Sequence, residues 1–263
     1  MIELYVAVFA AGLLFGSFAN VCIARIPNNQ SVVTPGSRCP KCGTPIEWYD
    51  NIPLLSYALL KGKCRKCKTQ VSFQYPLVEF STGLAFVFVA MHLQFTPLLP
   101  FYLLFTLALI IISFIDYYHQ IIPDVFSFGI IILGVGLASF SEALGPDVKS
   151  RLVNSVLGMV VGGGSLFALG FVGEKIMHKE SMGGGDIKLM AGIGAMFGWE
   201  SAISVLFIAS LIGSVIGVTL ILSKKIERTG YIPFGPFIAA ASYLYMLVPE
   251  RLNILSLVFR LSN

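Results

Sequence analysis

Two aspartates in apolar surroundings are the residues of this sequence best suited to chemistry. Asp116 lies in the segment "SFIDYYHQIIPD", and Asp186 follows three glycines in "SMGGGDIKLM". A carboxylate in or at the edge of an apolar segment is costly unless it faces a polar cavity, so each is a functional candidate. Two carboxylates about 3–6 Å apart cannot both ionise easily, so one keeps its proton while the other activates a shared water. This pair therefore predicts hydrolysis of a peptide carbonyl, the chemistry that aspartic proteases use.

Simpler roles exist for the same side chains. The role of Asp186 could be limited to capping the helix that follows it, which aspartate often does. Asp116 could have no role beyond marking a membrane boundary. Asp124, just after Pro123, is expected to cap the next helix. If both candidate aspartates are functional, helix dipoles predict an ionised Asp186 at a helix N-terminus and a protonated Asp116 near a helix C-terminus. Glycines 183–185 would then let an extended substrate approach Asp186 closely.

Four cysteines form a second candidate site. They occur as two Cys-x-x-Cys pairs separated by 21 residues, namely Cys39, Cys42, Cys64 and Cys67. Two such pairs supply four thiolates with the spacing of a zinc ribbon. The alternative, a set of disulfides, is disfavoured in a reducing cytoplasm. The pattern predicts a closed structural zinc site that folds its loop and takes no part in catalysis.

The composition indicates that these sites belong to a polytopic membrane protein. Of 263 residues, 56% are hydrophobic and 12% are charged, and the mean hydropathy is +0.82. Crossing about 30 Å of hydrocarbon takes roughly 17–25 apolar residues. About eight transmembrane helices are predicted, near residues 4–24, 77–95, 98–117, 122–141, 152–174, 187–198, 201–223 and 232–248. Glycines within them, such as Gly12, Gly16 and Gly158, predict close helix packing.

Lysine and arginine indicate the orientation of the chain. One polar segment, residues 26–75, follows Arg25 and carries seven of the 18 basic residues, which are Arg38, Lys41, Lys61, Lys63, Arg65, Lys66 and Lys68. The positive-inside rule places this loop in the cytoplasm and the N-terminus outside. Both aspartates then lie at the cytoplasmic membrane face. The net charge of +4 follows from topology, and no interleaved aromatic residues indicate binding to nucleic acid.

Taken together, these motifs resemble the type IV prepilin peptidases, which are bifunctional leader peptidase/N-methyltransferases among the Gly-x-Gly-Asp aspartic proteases. The similarity covers nearly the whole chain. It rests on "GLLFGSFANVCIARIP", "SRCPKCGTPIEWYDNIPLLSY", "GKCRKC", "SFQYPLVE", "FIDYYHQIIPD", "ESMGGGDIKL" and "IPFGPF". One departure is Ser181, which stands where the family usually has glycine.

The resemblance implies an all-α polytopic protein of a bacterial inner membrane. Its domains would be a first transmembrane helix (1–25), a cytoplasmic four-cysteine domain (26–76), a transmembrane peptidase domain (77–250) and a tail (251–263). The implied catalytic residues are Asp116 and Asp186. The implied substrates are prepilins and pseudopilins of type IV pili or type II secretion, cut after a basic leader for which Glu180 is a candidate contact.

The resemblance also implies a second activity, N-methylation of the new N-terminal residue with S-adenosylmethionine. Gly62, Lys63 and Glu79 match segments that are implicated in it. No glycine-rich dinucleotide-binding fingerprint is present from which cofactor binding could be derived. Three rival interpretations remain: a presenilin or signal-peptide-peptidase relative, a proton- or cation-coupled transporter with paired aspartates, and a zinc-stabilised assembly scaffold.

Overall fold

A computed structural model describes residues 1–177, 182–224 and 232–247. The described residues contain helices and two isolated β-bridges but no strand. The α-helices are α1 (Ile2–Arg25), α2 (Leu55–Leu59), α3 (Gln74–Leu93), α4 (Leu99–His119), α5 (Asp124–Ala138), α6 (Val148–Met177), α7 (Gly184–Phe197), α8 (Trp199–Leu222) and α9 (Gly235–Leu247). Short 3-10 helices cover Ile26–Asn28, Trp48–Asn51 and Glu142–Leu144.

Each of the eight predicted apolar segments is a helix, but they differ in length. Among the described residues, five helices are long and apolar enough to cross a membrane: α1, α3, α4, α6 and α8. The remaining three, α5, α7 and α9, have 15, 14 and 13 described residues. At about 1.5 Å per residue, such helices are shorter than the roughly 30 Å of a hydrocarbon core. Of these three helices, α7 carries Asp186.

The chain divides into two compact units, Met1–Ile111 and Ile112–Asn263, with the boundary inside α4. In the first unit α1 packs on α3 through glycine. A Cβ at Gly12 would lie 2.7 Å from the Cα of Gly83, and one at Gly16 would lie 2.7 Å from the Cα of Glu79. The order of these contacts shows that the two helices are antiparallel. Their glycines allow the close approach that the sequence predicts.

In the second unit, α7 lies between α5 and α6. Gly158 of α6 and Gly194 of α7 are in backbone contact, so that neither has room for a side chain. On the other face, a Cβ at Gly134 of α5 would lie 2.7 Å from the backbone nitrogen of Met196. Because both neighbours approach so closely, this 14-residue helix is well buried even though it is short.

The domain bounds that the family resemblance implied remain a prediction. They place a break after residue 76, whereas α3, which begins at Gln74, packs with α1 in one compact unit. The predicted tail at 251–263 lies outside the described residues.

Candidate active site and metal centre

Asp116 lies in the last turn of α4 and is held by the start of another helix. Its carboxyl is buried, with 4% of the residue exposed. Oδ2 accepts a hydrogen bond of 2.9 Å from the backbone N–H of Gly235, the first residue of α9. A Cβ at Gly235 would lie 2.6 Å from the same oxygen. Gly235 therefore supplies the N–H that donates to this carboxylate, and its lack of a side chain leaves room for the carboxylate.

Asp186 is the third residue of α7 and is also buried, with 5% exposed. Its carboxylate interacts with the backbone of Gly183, the N-cap residue, as an acidic residue at this position of a capping box does. Its Oδ1 atom, however, has no hydrogen-bond partner. A residue that only capped the helix would not need to bury a second, unpartnered oxygen, because such burial is costly.

The structure brings the two aspartates together. Their carboxylates interact electrostatically, and a glycine beside each of them lies close to Ile122, in the connection between α4 and α5. A Cβ at Gly185, beside Asp186, would lie 2.8 Å from the Cβ of Ile122. One at Gly235, beside Asp116, would lie 3.1 Å from the Cδ1 of Ile122. The side chain of Ile122 thus lies between the start of α7, which carries Asp186, and the start of α9, which holds Asp116.

The sequence predicted an ionised Asp186 and a protonated Asp116 from their positions on helices. Those positions alone do not support this difference in protonation. Asp186 lies at the N-terminus of α7, as expected. Asp116 lies near the C-terminus of α4, but it also accepts the N–H of Gly235 at the N-terminus of α9. Helix N-termini stabilise negative charge. Helix dipoles alone therefore do not assign the proton to one of the two.

Asp124 does not have the capping role predicted for it. It is the first residue of α5 and makes no side-chain hydrogen bond to cap it. Instead, its Oδ1 lies 2.6 Å from the Nζ of Lys188 in α7, and that ammonium also stands over the ring of Phe128. The pair joins the starts of α5 and α7 beside the candidate site.

The four predicted cysteines converge. Their sulfur atoms all lie within 4.8 Å of one another, and the Sγ atoms of Cys39 and Cys67 are 3.7 Å apart. A tetrahedral zinc with Zn–S bonds of about 2.3 Å places its sulfurs about 3.8 Å apart. The donor set therefore fits a tetrahedral ion that prefers thiolates. No disulfide joins these cysteines.

The two cysteine pairs are held by the same hydrogen bonds. Cys39 N–H donates to Thr44 O at 2.9 Å, and Cys64 N–H donates to Thr69 O at 2.8 Å. Further bonds, from Gly43 N to Cys39 O and from Lys68 N to Cys64 O, close each turn. Gly43 and Lys68 both adopt a left-handed conformation at equivalent places. Each Cys-x-x-Cys pair thus forms the same hydrogen-bonded turn, which we call a knuckle.

Side chains around the knuckles support metal binding. The Thr44 hydroxyl, 3.3 Å from the Cys42 sulfur, lowers the pKa of that thiol to about 6. A lower pKa favours the thiolate, which is the metal-binding form. Arg65 makes two hydrogen bonds of 2.7 and 2.6 Å with Asp50, and this lowers the pKa of Asp50. That pair ties the second knuckle to the helix Trp48–Asn51.

The residues that the family resemblance linked to methyl transfer lie in the four-cysteine loop and in α3. Gly62 is buried with a φ of +66°, and a Cβ there would lie 2.9 Å from the Tyr57 hydroxyl oxygen. Lys63 is exposed. Glu79 is buried in α3 and accepts a hydrogen bond of 2.8 Å from Leu54 N–H. Within the described residues no hydrogen bond or ion pair connects Lys63 to Glu79. Glu180 and Ser181 lie outside those residues.

The structural roles of four residues were not predicted from the sequence. Gly235 belongs to the motif "IPFGPF", but the motif did not reveal that its N–H reaches Asp116. Ile122 and Lys188 carried no signal of their own. Asn20, a buried amide in α1, could have been singled out as a polar residue inside an apolar span.

These features define the class first: a helical membrane protein with two buried, interacting aspartates and a separate four-cysteine centre. Comparison with known proteins then gives the family. The Bacterial Peptidase A24 N-terminal domain matches residues 10–93, and the Type IV leader peptidase family matches residues 103–218. The chain belongs to the type IV leader peptidase family.

Curated relatives agree with this assignment. The prepilin leader peptidase/N-methyltransferase of Pseudomonas aeruginosa is 34% identical, over 92% of this chain and 89% of its own length. The protein of the same name from Neisseria gonorrhoeae is 33% identical over 89% and 86%. That of Myxococcus xanthus is 40% identical over 83% of this chain and 63% of its own length. No solved structure matches the chain. Nothing in these comparisons supports the transporter interpretation.

Proposed function

We propose that this protein is an integral membrane aspartic endopeptidase that removes the basic leader of type IV prepilins or pseudopilins and then N-methylates the new N-terminus. The observation that carries the peptidase activity is the buried pair Asp116 and Asp186, whose carboxylates interact electrostatically. The names of the relatives supply the substrate class.

The pair supports water attack on a peptide bond. An ionised aspartate takes a proton from a water, and the oxygen of that water forms a bond to the scissile carbonyl carbon. The protonated aspartate polarises the carbonyl and then gives a proton to the departing amine as the C–N bond breaks. The unpartnered Oδ1 of Asp186 offers an acceptor for the attacking water. The products are a leader with a free carboxylate and a mature protein with a free amine.

The four-cysteine centre fits structural zinc. Its four thiolates would fill a tetrahedral coordination shell and leave no position for a catalytic water. Its role is then to fold residues between α1 and α3 into a fixed loop. We place this loop and both aspartates at the cytoplasmic face, with the N-terminus outside, because the loop carries the largest group of basic residues.

Methyl transfer would use S-adenosylmethionine, which supplies an electrophilic methyl group when bound. Within the first compact unit, Glu79 is the one among the implied residues that is both buried and negatively charged when ionised. Gly62 and Lys63 adjoin the second knuckle and could contact the donor from the loop side.

The proposal is tested by a cleavage assay in liposomes with a prepilin that carries a basic leader. Wild type is compared with Asp116→Asn and Asp186→Asn, and mass spectrometry reports both the cut and an added methyl group. Asp147→Asn is the matched control, because Asp147 is an exposed aspartate at the start of α6. We expect both site variants to lose cleavage by more than about 1000-fold, as for removal of an essential acid or base. Cleavage by either variant at the wild-type rate would refute the assignment.

A further inference from the structure

The interface of α1 and α3 contains a polar site that peptide cleavage does not use. Gly12 lies opposite Gly83, Gly16 opposite Glu79, and Asn20 opposite Tyr75, one helical turn apart at each step. Asn20 is 2% exposed and Glu79 is 7% exposed. Two polar side chains from facing helices are therefore buried within about one turn of each other.

The amide of Asn20 has a defined orientation. Its Nδ2 donates to Gly16 O at 3.3 Å and to Tyr75 O at 3.1 Å. Since both of these partners are acceptors, the nitrogen must face them, and the oxygen must face away. That oxygen, Oδ1, is buried and has no partner. A buried acceptor without a donor is costly, and such groups in native proteins call for an explanation.

Glu79 is the second acceptor at this level. Its Oε2 atom accepts Leu54 N–H, and the Ser17 hydroxyl also interacts with the carboxylate. Among the described residues the two ion pairs join Arg65 with Asp50 and Lys188 with Asp124, so no cation of that part of the chain pairs with Glu79. A buried carboxylate without a cation either takes up a proton or gains a positive charge from a ligand, because an isolated buried anion is costly.

The chemistry missing from this site is a positively charged group with several N–H donors. We propose that Asn20 and Glu79 bind the α-ammonium group of an amino acid or peptide at the α1–α3 interface. An ammonium offers three donors and one positive charge. Asn20 Oδ1 accepts one donor, and the Glu79 carboxylate accepts another and balances the charge.

The identity of the ligand rests on the proposed methyl transfer, which involves two such groups. One is the free amine at the N-terminus of the cleaved pilin, and the other is the amino group of S-adenosylmethionine. Leu54, whose N–H covers Glu79, lies between the helix Trp48–Asn51 and α2 in the four-cysteine loop. The loop that the metal folds therefore forms one wall of this site.

Direct binding to the full chain in detergent micelles tests the proposal without any turnover. Isothermal titration compares two pairs of ligands that differ in the ammonium: S-adenosylhomocysteine with its analogue that lacks the amino group, and a short apolar peptide with its N-acetylated form. We expect one amine-bearing ligand to bind about 10- to 100-fold more tightly than its partner, the range for hydrogen bonds to a charged group. The pair that shows the difference identifies the source of the ammonium.

Variants then assign the effect to this site. Glu79→Gln keeps an acceptor for Leu54 N–H and nearly the same volume, so it removes only the charge and should abolish the preference for the amine. Glu47→Gln, the same change at an exposed glutamate of the loop, should retain it. Zinc content and thermal unfolding show whether each variant is folded. If Glu79→Gln does not fold, Asn20→Ser replaces it and should likewise lose the preference for the amine.

Two results would overturn the proposal. One is the absence of any preference for the amine in wild type. The other is a preference that persists in folded Glu79→Gln. Failure of wild type to cleave or methylate a prepilin would instead count against the proposed function, because the binding measurements do not depend on either reaction.

Discussion

At the scale of single residues, Gly235 leaves no room for a side chain beside Asp116. A Cβ there would lie 2.6 Å from Oδ2 of the carboxylate and 3.1 Å from Cδ1 of Ile122. Gly235→Ala should therefore push the carboxylate out of place, and a displacement near 1 Å at a catalytic group costs about 100-fold in rate. We expect kcat/KM for prepilin cleavage to fall by about that factor, measured by quantitative mass spectrometry of the mature product.

The control for this prediction is Gly129→Ala in α5, where a Cβ would meet nothing within 4 Å. It should cleave at the wild-type rate. Wild-type activity in a folded Gly235→Ala protein would show that the Gly235–Asp116 contact does not position the carboxylate for catalysis.

The three consecutive glycines before Asp186 differ in their surroundings. A Cβ at Gly184 would meet nothing within 4 Å, whereas one at Gly185 would lie 2.8 Å from Ile122 Cβ and 3.3 Å from its backbone oxygen. Gly185→Ala should thus destabilise the protein by about 1–3 kcal/mol through overpacking. Gly184→Ala should change stability by less than about 1 kcal/mol. Thermal unfolding in detergent distinguishes the two.

The Gly184→Ala variant also tests how a substrate reaches Asp186. If an extended peptide passes over the exposed Gly184, as predicted from the sequence, Gly184→Ala should raise KM for cleavage while the unfolding temperature stays constant. An unchanged KM would show that the substrate does not contact this position.

At the scale of secondary structure, the short helix α7 depends on contacts with longer neighbours. Gly158 of α6 and Gly194 of α7 touch through their backbones, and Gly162 of α6 similarly meets Met190 O. Gly158→Ala should force the helices apart, because the atoms that it would meet belong to backbone and cannot rotate away. We expect a loss of more than about 3 kcal/mol in stability together with the loss of cleavage.

Gly164→Ala provides the control within the same helix, since a Cβ there would meet nothing within 4 Å. Its unfolding temperature should equal or slightly exceed that of wild type, because alanine favours helix over glycine. Equal stability of the two variants would mean that α6 and α7 can separate without cost.

At the scale of the whole molecule, the two candidate sites belong to different compact units. The cysteines and Glu79 lie in Met1–Ile111, and Asp116 and Asp186 lie in Ile112–Asn263. Removal of the metal with a chelator, or Cys64→Ser, should unfold the loop and withdraw Leu54 N–H from Glu79. We therefore expect methylation to be lost while cleavage stays within a fewfold of wild type.

Mass spectrometry of the product measures both reactions in one sample, and re-addition of zinc to the chelated protein should restore methylation. Parallel loss of cleavage and methylation would show that the first unit is required for the peptidase as well. Cys22→Ser is the control, because Cys22 lies in α1 and is not part of the metal cluster.

The sequence by itself determined the features that depend on neighbours along the chain. Each Cys-x-x-Cys pair folds into a knuckle through hydrogen bonds within about seven residues, so its spacing was sufficient to predict it. Apolar runs likewise predicted eight helices, because a helix satisfies its own backbone whatever surrounds it. Glycines spaced by four residues predicted that α1 packs closely on another helix, although not that this helix is α3.

Tertiary structure alone decided which distant groups meet. Gly235 N–H reaches Asp116 across 119 residues, and Lys188 pairs with Asp124 across 64, which is why the predicted cap at Asp124 was wrong. The shortness of α5, and the unpartnered oxygens of Asn20 and Asp186, also emerged only from the fold. Local propensity specifies how each segment folds, but the choice of partners depends on the packing of all the helices at once, which no local pattern encodes.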